Sequence, residues 1–207
     1  QHGISDVHLR VGRPAFFRRE GQLVTRKGAQ TLNESQLIEW FHAMSKEPNH
    51  GTFVRLGEVD FGYTLKGAGR FRVNVFRERG HMAMVMRHIP ESVPSIEELG
   101  LPSVVGELAH SSRGIILVTG ATGCGKSTTM AAMVEEVNAR RACHILTIED
   151  PIEFVFKDDK AMISQREIGG DTTNFPQALK SALRQDPDVI LLGELRDLET
   201  VSTALHA

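Results

Sequence analysis

The sequence predicts an α/β chain in two parts: a small antiparallel sheet packed on one or two helices up to about residue 90, then a parallel sheet alternating with helices. Three observations carry this. Short pieces of the first part alternate apolar and polar residues with period two, as a strand with one buried face does. After Gly114 the strand-like pieces become continuously apolar and are separated by helical segments, the signature of parallel strands covered on both faces. Between the two lies a stretch with Pro90, Pro94 and Pro102, and proline cannot continue a ladder.

The elements follow in order. Val7, Leu9 and Val11 alternate with His8 and Arg10; Phe71, Val73 and Val75 alternate with Arg70, Arg72 and Asn74; Met82 to Met86 is a third strand-like run. Leu37, Ile38, Trp40 and Phe41 fall at helical spacing within Leu32 to Met44. Asn33 is the N-cap there, with Gln36 three residues on as its capping-box partner. The proline stretch sets the boundaries: residues 1–92 form the first domain, 93–112 a linker and 113–207 the second domain. In the second domain Ile115 to Thr119, Ile145 to Ile148 and Val189 to Leu192 are expected strands, with helices at about 126–139 and 175–184.

Composition narrows the function classes. Of 207 residues 41% are hydrophobic and 24% charged, an ordinary globular balance that excludes disorder and collagen-like repeats. Lys and Arg number 24 against 26 Asp and Glu, so a net charge of -2 gives no general attraction to nucleic acid or acidic lipid. Two cysteines, Cys124 and Cys143, are too few for a disulfide scaffold and fit a reducing compartment. No run approaches the roughly 20 apolar residues that span a bilayer, so the reading is cytoplasmic, without membrane insertion. The chain begins at Gln1 without a methionine and stops at Ala207 inside a helix-like run from Leu198, so it reads as a fragment. The nine histidines, His2 among them, show no paired i, i+4 ligand spacing and are read as surface or satisfied core residues rather than a zinc site.

The chemistry is carried by Gly120-Ala121-Thr122-Gly123-Cys124-Gly125-Lys126-Ser127, which fits G-x-x-x-x-G-K-[ST] between an expected strand and an expected helix. Glycines at 120, 123 and 125 allow the backbone to fold into a concave nest of N–H groups, and the following helix adds its positive end. Lys126 then reaches the β- and γ-phosphates, Ser127 offers a hydroxyl to Mg²⁺ and Thr128 can bond the α-phosphate region. Cys124 lies inside the nest and is read as a small filler.

Binding alone does not cleave a triphosphate; carboxylates must hold the metal and orient water, and parallel sheets bind ligand at the C-terminal ends of their strands. The second apolar run ends in Glu149, Asp150 and Glu153, and the third in Glu194. Each could be a solvated strand terminus, but Glu194 follows four apolar residues, where an unpartnered carboxylate is costly.

Three segments, Gly120 to Thr129, Ile145 to Phe154 and Arg184 to Glu199, resemble in order and spacing the Walker A, Asp-box and Walker B segments of the secretion ATPase superfamily. Ser5-Asp6-Val7-His8-Leu9, Gly12-Arg13-Pro14 and Gly69 to Phe76 resemble its type IV pilus retraction members, the twitching-motility type. The resemblance implies a PAS-like α+β N-terminal domain followed by a RecA-like P-loop NTPase domain truncated at its C-terminus. It further implies ATP and Mg²⁺ as cofactors, a homo-hexamer, and work on a pilus platform protein at the inner face of the cytoplasmic membrane. It makes Glu153 the catalytic glutamate and Glu194 the Walker B acid on the Mg²⁺ side. Arg72 and Arg87 match arginines that contact the γ-phosphate, with Arg70 and Arg77 as competing choices. Thr122, Gly123 and Cys124 belong to the phosphate loop, although Ala121 and Cys124 stand where the family usually has Pro and Ser. A pilus-extension or type II secretion ATPase, and a low-activity nucleotide-binding accessory subunit, are the alternatives; a nucleic-acid motor would need a basic stripe.

Overall fold

The computed structural model describes residues 3–90 and 92–206. Gln1, His2, Glu91 and Ala207, and with them the expectations placed on His2 and on the last residue of the terminal run, lie outside the described residues. The chain divides into two compact units, Gln1–Ile89 and Pro90–Ala207.

The first unit is a six-stranded sheet with two helices. Its elements are β1 (Ile4–Arg10), β2 (Phe16–Arg19), β3 (Gln22–Thr25), α1 (Glu34–Met44), α2 (Glu47–Leu56), β4 (Glu58–Leu65), β5 (Gly69–Glu78) and β6 (His81–Ile89). The order is β3-β2-β1-β6-β5-β4 and every neighbouring pair is antiparallel. Period two decides the faces. Leu9, Val59, Phe61, Val73, Val75, Met82 and Met84 turn inward onto Leu37, Phe41 and Phe53 of the helices. The opposite face carries Asp6, Arg72 and Arg87, with Asp6 directly across from Arg87 and Arg87 directly across from Arg72. The capping box at α1 forms as its sequence predicts: Gln36 N–H donates to Asn33 Oδ1 and Asn33 N–H to Gln36 Oε1, each at 3.0 Å. Sequence patterning does not expose α2, because Pro48 and Gly51 read as punctuation. Yet Pro48 sits in the first turn, where its missing N–H costs nothing, and Gly57 ends the helix at φ 80°.

Residues 93–112 fall in the second unit and are partly structured. Ser95 and Glu98 cap each other reciprocally, and a short helix, α3 (Val104–Ala109), follows. His110, at the end of α3, meets Glu136 at 3.4 Å. Then come α4 (Lys126–Arg140), β7 (His144–Glu149), β8 (Met162–Glu167), α5 (Phe175–Ala182), β9 (Val189–Leu192) and α6 (Leu198–Leu205). The strands form a parallel sheet in the order β8-β7-β9. The central strand β7 is buried along Ile145 to Ile148. Ile145 packs with Val134 and Val137 of α4, whereas Leu146 and Ile148 pack with Ala178, Leu179 and Ala182 of α5. Alternate residues therefore serve alternate layers, which is why Ile145, Leu146 and Ile148 are all apolar although they point to opposite faces.

One expected strand does not form. Ile115 to Thr119 has no ladder, and Ile115, Ile116 and Leu117 are 48%, 42% and 63% exposed. A run becomes a strand only where an edge pairs its backbone groups, and this one pairs neither with β7, whose two sides are taken, nor with the outer edges that β8 and β9 leave open. Conversely β8, with Ser164, Gln165 and Arg166, is too polar to read as a buried strand yet pairs with β7 along its length. Among the described residues no helix is long and apolar enough to cross a membrane.

Candidate active site

The glycine-rich loop takes the shape its glycines permit. Gly120, Gly123 and Gly125 have φ of 154°, 80° and 95°, a region that side chains disfavour. A Cβ at Gly120 would fall 2.6 Å from Cys124 Sγ, so the loop closes on itself only without one. Helix α4 begins at Lys126 with Gly125 as its cap, no side chain bonds its first N–H groups and no acid stands in its first turn. Such an end, with its positive dipole uncompensated, is an anion seat. Lys126 Nζ donates to the carbonyls of Gly120 and Ala121 at 3.0 and 2.9 Å, so the ammonium lies folded over the loop instead of against apolar neighbours. Thr122, Gly123 and Cys124 are exposed; Ser127 and Thr128 are half-buried at the start of the helix.

The acids arrive from the sheet. A cleft beside the start of α4 is lined by Ser127, Met130, Glu149, Asp150, Glu153 and Glu194, among others. It therefore brings together Ser127, Glu153 and Glu194, three of the positions singled out by sequence. Gly193 makes this possible at the end of β9: its N–H donates to the Ile148 carbonyl at 2.8 Å, and a Cβ there would stand 3.4 Å from both that oxygen and Glu149 Cα. A larger residue would push the chain carrying Glu194 away from β7.

The three glutamates have different surroundings. Glu153 is exposed to the cleft. Glu194 Oε2 lies 2.8 Å from Arg196 Nη2, an ion pair with a guanidinium two residues on. Glu149 is 8% exposed. Burial pushes its carboxyl above the usual range, against hydrogen bonds from Thr147 Oγ1, Gln165 Nε2 and Glu153 N–H that favour the charged form.

Arg72 and Arg87 stand on β5 and β6 of the first unit. Arg87 Nε donates to Asp6 Oδ1 at 2.9 Å, and Arg72 Nε lies 3.7 Å from Asp60 Oδ1. The Arg87 side chain remains 70% exposed, held at its Nε so that its terminal fork faces solvent. Burial alone would raise the Asp6 carboxyl, but bonds from Ser5 and Arg87, with the Arg87 charge, outweigh it and hold the group below its ordinary value. The competing Arg70 bonds Thr64 Oγ1 at 3.4 Å, and Arg77 stacks its guanidinium over Phe53.

In sequence Glu149 resembles a solvated rim acid, and nothing local marks Gln165 or Glu167 as part of the site. Both lie on β8, with Gln165 level with Thr147 and Glu167 level with Glu149. The signal for burial is that Glu149 ends a run of Ile145, Leu146, Thr147 and Ile148, where an unpartnered carboxylate is costly.

With this geometry in view, comparison with known proteins is informative. Residues 6–207 match the family described as type II/IV secretion system protein. The chain is 44% identical over 207 residues to the type IV pilus retractation ATPase PilT of Pseudomonas aeruginosa, covering all of this chain and 60% of that protein. It is 55% identical over 150 residues to a twitching motility protein of Neisseria gonorrhoeae, covering 72% of this chain and 40% of that one. A crystal structure of the pilus retraction motor PilT with bound ADP superposes with a TM-score of 0.91 at 47% identity, covering 99% of this chain and 60% of the other. The chain thus spans about three-fifths of the length of these PilT relatives. Phosphate loop, parallel strand ends and family match agree, and the chain belongs to the type II/IV secretion system protein family.

Proposed function

We propose that this chain is the nucleotide-cleaving portion of a hexameric ATPase that drives type IV pilus retraction, with a PAS-like first unit and a RecA-like second unit. The observation that carries the chemistry is the single cleft in which Ser127, Glu153 and Glu194 meet beside an uncapped helix start. The retraction assignment rests on the relatives whose names specify it.

The main-chain N–H groups of Gly120, Thr122, Gly123, Cys124, Gly125 and Lys126 grip the triphosphate of ATP, and the α4 dipole adds to them. Lys126 leaves the Gly120 and Ala121 carbonyls for the β- and γ-phosphates, replacing two neutral acceptors with charged ones. Thr128 bonds nearer the α-phosphate. The donor set suits Mg²⁺, since a hydroxyl and a carboxylate are the hard oxygen ligands that ion combines with phosphate oxygens. Ser127 and Glu194 would hold it, and the bound ion would supply positive charge against the charge developing on the transferred group. Glu153 takes the proton of the attacking water, and ADP and phosphate leave. Arg72 and Arg87 supply guanidinium charge to the γ-phosphate. In the cell the assembly acts from the cytoplasm, peripheral to the inner membrane, on a pilus platform protein, without nucleic acid or membrane insertion.

Hydrolysis by the full-length protein tests this. Replacing Lys126 with Ala or Glu153 with Gln should abolish most phosphate release, and neither variant should restore twitching to a motor-less strain. Undiminished phosphate release would overturn the chemistry. Restored secretion or pilus extension in place of retraction would overturn the assignment of direction.

A further inference from the structure

The turn that carries Glu153 is held almost entirely by side chains. Asp150 to Ala161 joins β7 to β8 without a ladder of its own, yet four backbone groups around Glu153 each find a polar side chain. Ile152 N–H donates to Glu167 Oε2 at 3.1 Å and Glu153 N–H to Glu149 Oε2 at 3.3 Å. Gln165 Nε2 donates to the Phe154 carbonyl at 2.8 Å, and Gln165 Oε1 accepts from Phe156 N–H at 3.0 Å. The same Gln165 amide donates to Glu149 Oε1 at 3.1 Å, which also accepts from Thr147 Oγ1 at 2.6 Å. Further along, Asn138 of α4 holds Asp159 N–H and the Lys157 carbonyl.

Strand geometry explains how three residues far apart in sequence converge. In the parallel pair Thr147 is level with Gln165 and Glu149 with Glu167, so period two puts all four on one face at the strand ends. Gln165 uses both ends of its amide and so joins the turn on either side of Val155 to the buried carboxylate of Glu149. The Glu153 side chain itself projects into the cleft, where its position is set by the backbone behind it.

We propose that Gln165, together with Glu149 and Glu167, is a positioning residue that fixes the Glu153 carboxylate for attack by water. The proposal rests on Glu153 acting as the hydrolytic base. Gln165 and Glu167 stand behind the cleft lining, and the Glu149 carboxylate at its wall is engaged by Thr147, Gln165 and the Glu153 N–H; together they deny the turn the freedom to swing the base away from its place. A displacement of ~1 Å at a reacting group lowers turnover by about 100-fold, while ligand binding elsewhere in the site is untouched.

The test uses the full-length assembled protein, comparing ATP turnover with the affinity for a fluorescent ATP analogue. Gln165→Ala should lower kcat by about 10- to 100-fold and leave KM and analogue affinity within about threefold. Because Gln165 acts through Glu153, adding Gln165→Ala to Glu153→Gln should cause no further loss, whereas independent effects would multiply. A multiplied loss in the double variant, or full kcat in Gln165→Ala, overturns the proposal. Should Gln165→Ala not assemble, Glu167 decides: Glu167→Ala should lose about 10-fold in kcat and Glu167→Gln, which keeps an oxygen facing Ile152 N–H, should regain most of it. Equal activity of those two variants overturns the proposal as well. The underlying assignment fails separately, through unchanged hydrolysis in Glu153→Gln alone.

Discussion

The two loops that frame the cleft are built in opposite ways. The phosphate loop, Gly120 to Ser127, is shaped by its own glycines and folded under its own Lys126, with every determinant inside eight consecutive residues. The acidic turn, Asp150 to Phe156, is shaped by groups outside it: Glu149, Gln165 and Glu167 on two strands reach its backbone. The first needs backbone freedom to wrap an anion. The second needs its backbone fixed, because a carboxylate that moves a proton must stay where the water is. A local motif can therefore specify binding, while the cleaving group depends on how distant segments pair.

This contrast sets the order of the predicted effects. Lys126→Ala removes the only charged side chain of the phosphate loop and should cost about 10³-fold in turnover, with weakened nucleotide affinity, read by steady-state phosphate release. Glu153→Gln should cost about 10²- to 10⁴-fold in turnover with affinity preserved, the split that separates the two loops most sharply. Gly193→Val presses a branched side chain onto Glu149 Cα and the Ile148 carbonyl, each already 3.4 Å from where its Cβ would be. It should destabilise the second unit by about 1–3 kcal/mol, measured by urea unfolding, and lower turnover without a comparable loss of affinity. Asp6→Asn, far from both loops in sequence, should act least and through pH. Because the Asp6 carboxyl is held below its ordinary value in the folded chain, its stabilising contribution is present at neutral pH and fades as pH falls through the acid range below ~4. The variant should therefore lose stability near pH 7 and show a flatter acid limb, read by thermal melts from pH 7 to 3.

Legibility in the sequence follows the same division. The α1 capping box, the run of α4, the strands β5, β6, β7 and β9, and the whole phosphate loop are written in contiguous residues, and they fold where the periodicities put them. What escapes is set by pairing. Ile115 to Thr119 has the composition of a buried strand but pairs with neither outer edge of the three-stranded sheet and has no ladder. Met162 to Glu167 has the opposite character: Gln165 and Glu167 look solvent-bound until the register with β7 turns them onto the acidic turn. Glu194 is legible as an acid at a strand end, but its ion pair with Arg196 at 2.8 Å depends on the turn after β9. In the first unit, alternation places Arg70 and Arg72 on one face; only the β5–β6 register puts Arg87 opposite Arg72.

The central claim is that one cleft receives the γ-phosphate between the phosphate loop and the acidic turn. A crystal structure of the full-length protein with Mg²⁺ and a non-hydrolysable ATP analogue tests it most directly. The account predicts that Lys126 Nζ leaves the Gly120 and Ala121 carbonyls for the β- and γ-phosphates, with a water between the γ-phosphate and Glu153. A nucleotide bound elsewhere, or a bound triphosphate with Lys126 still on the loop carbonyls and Glu153 turned from the cleft, would contradict it.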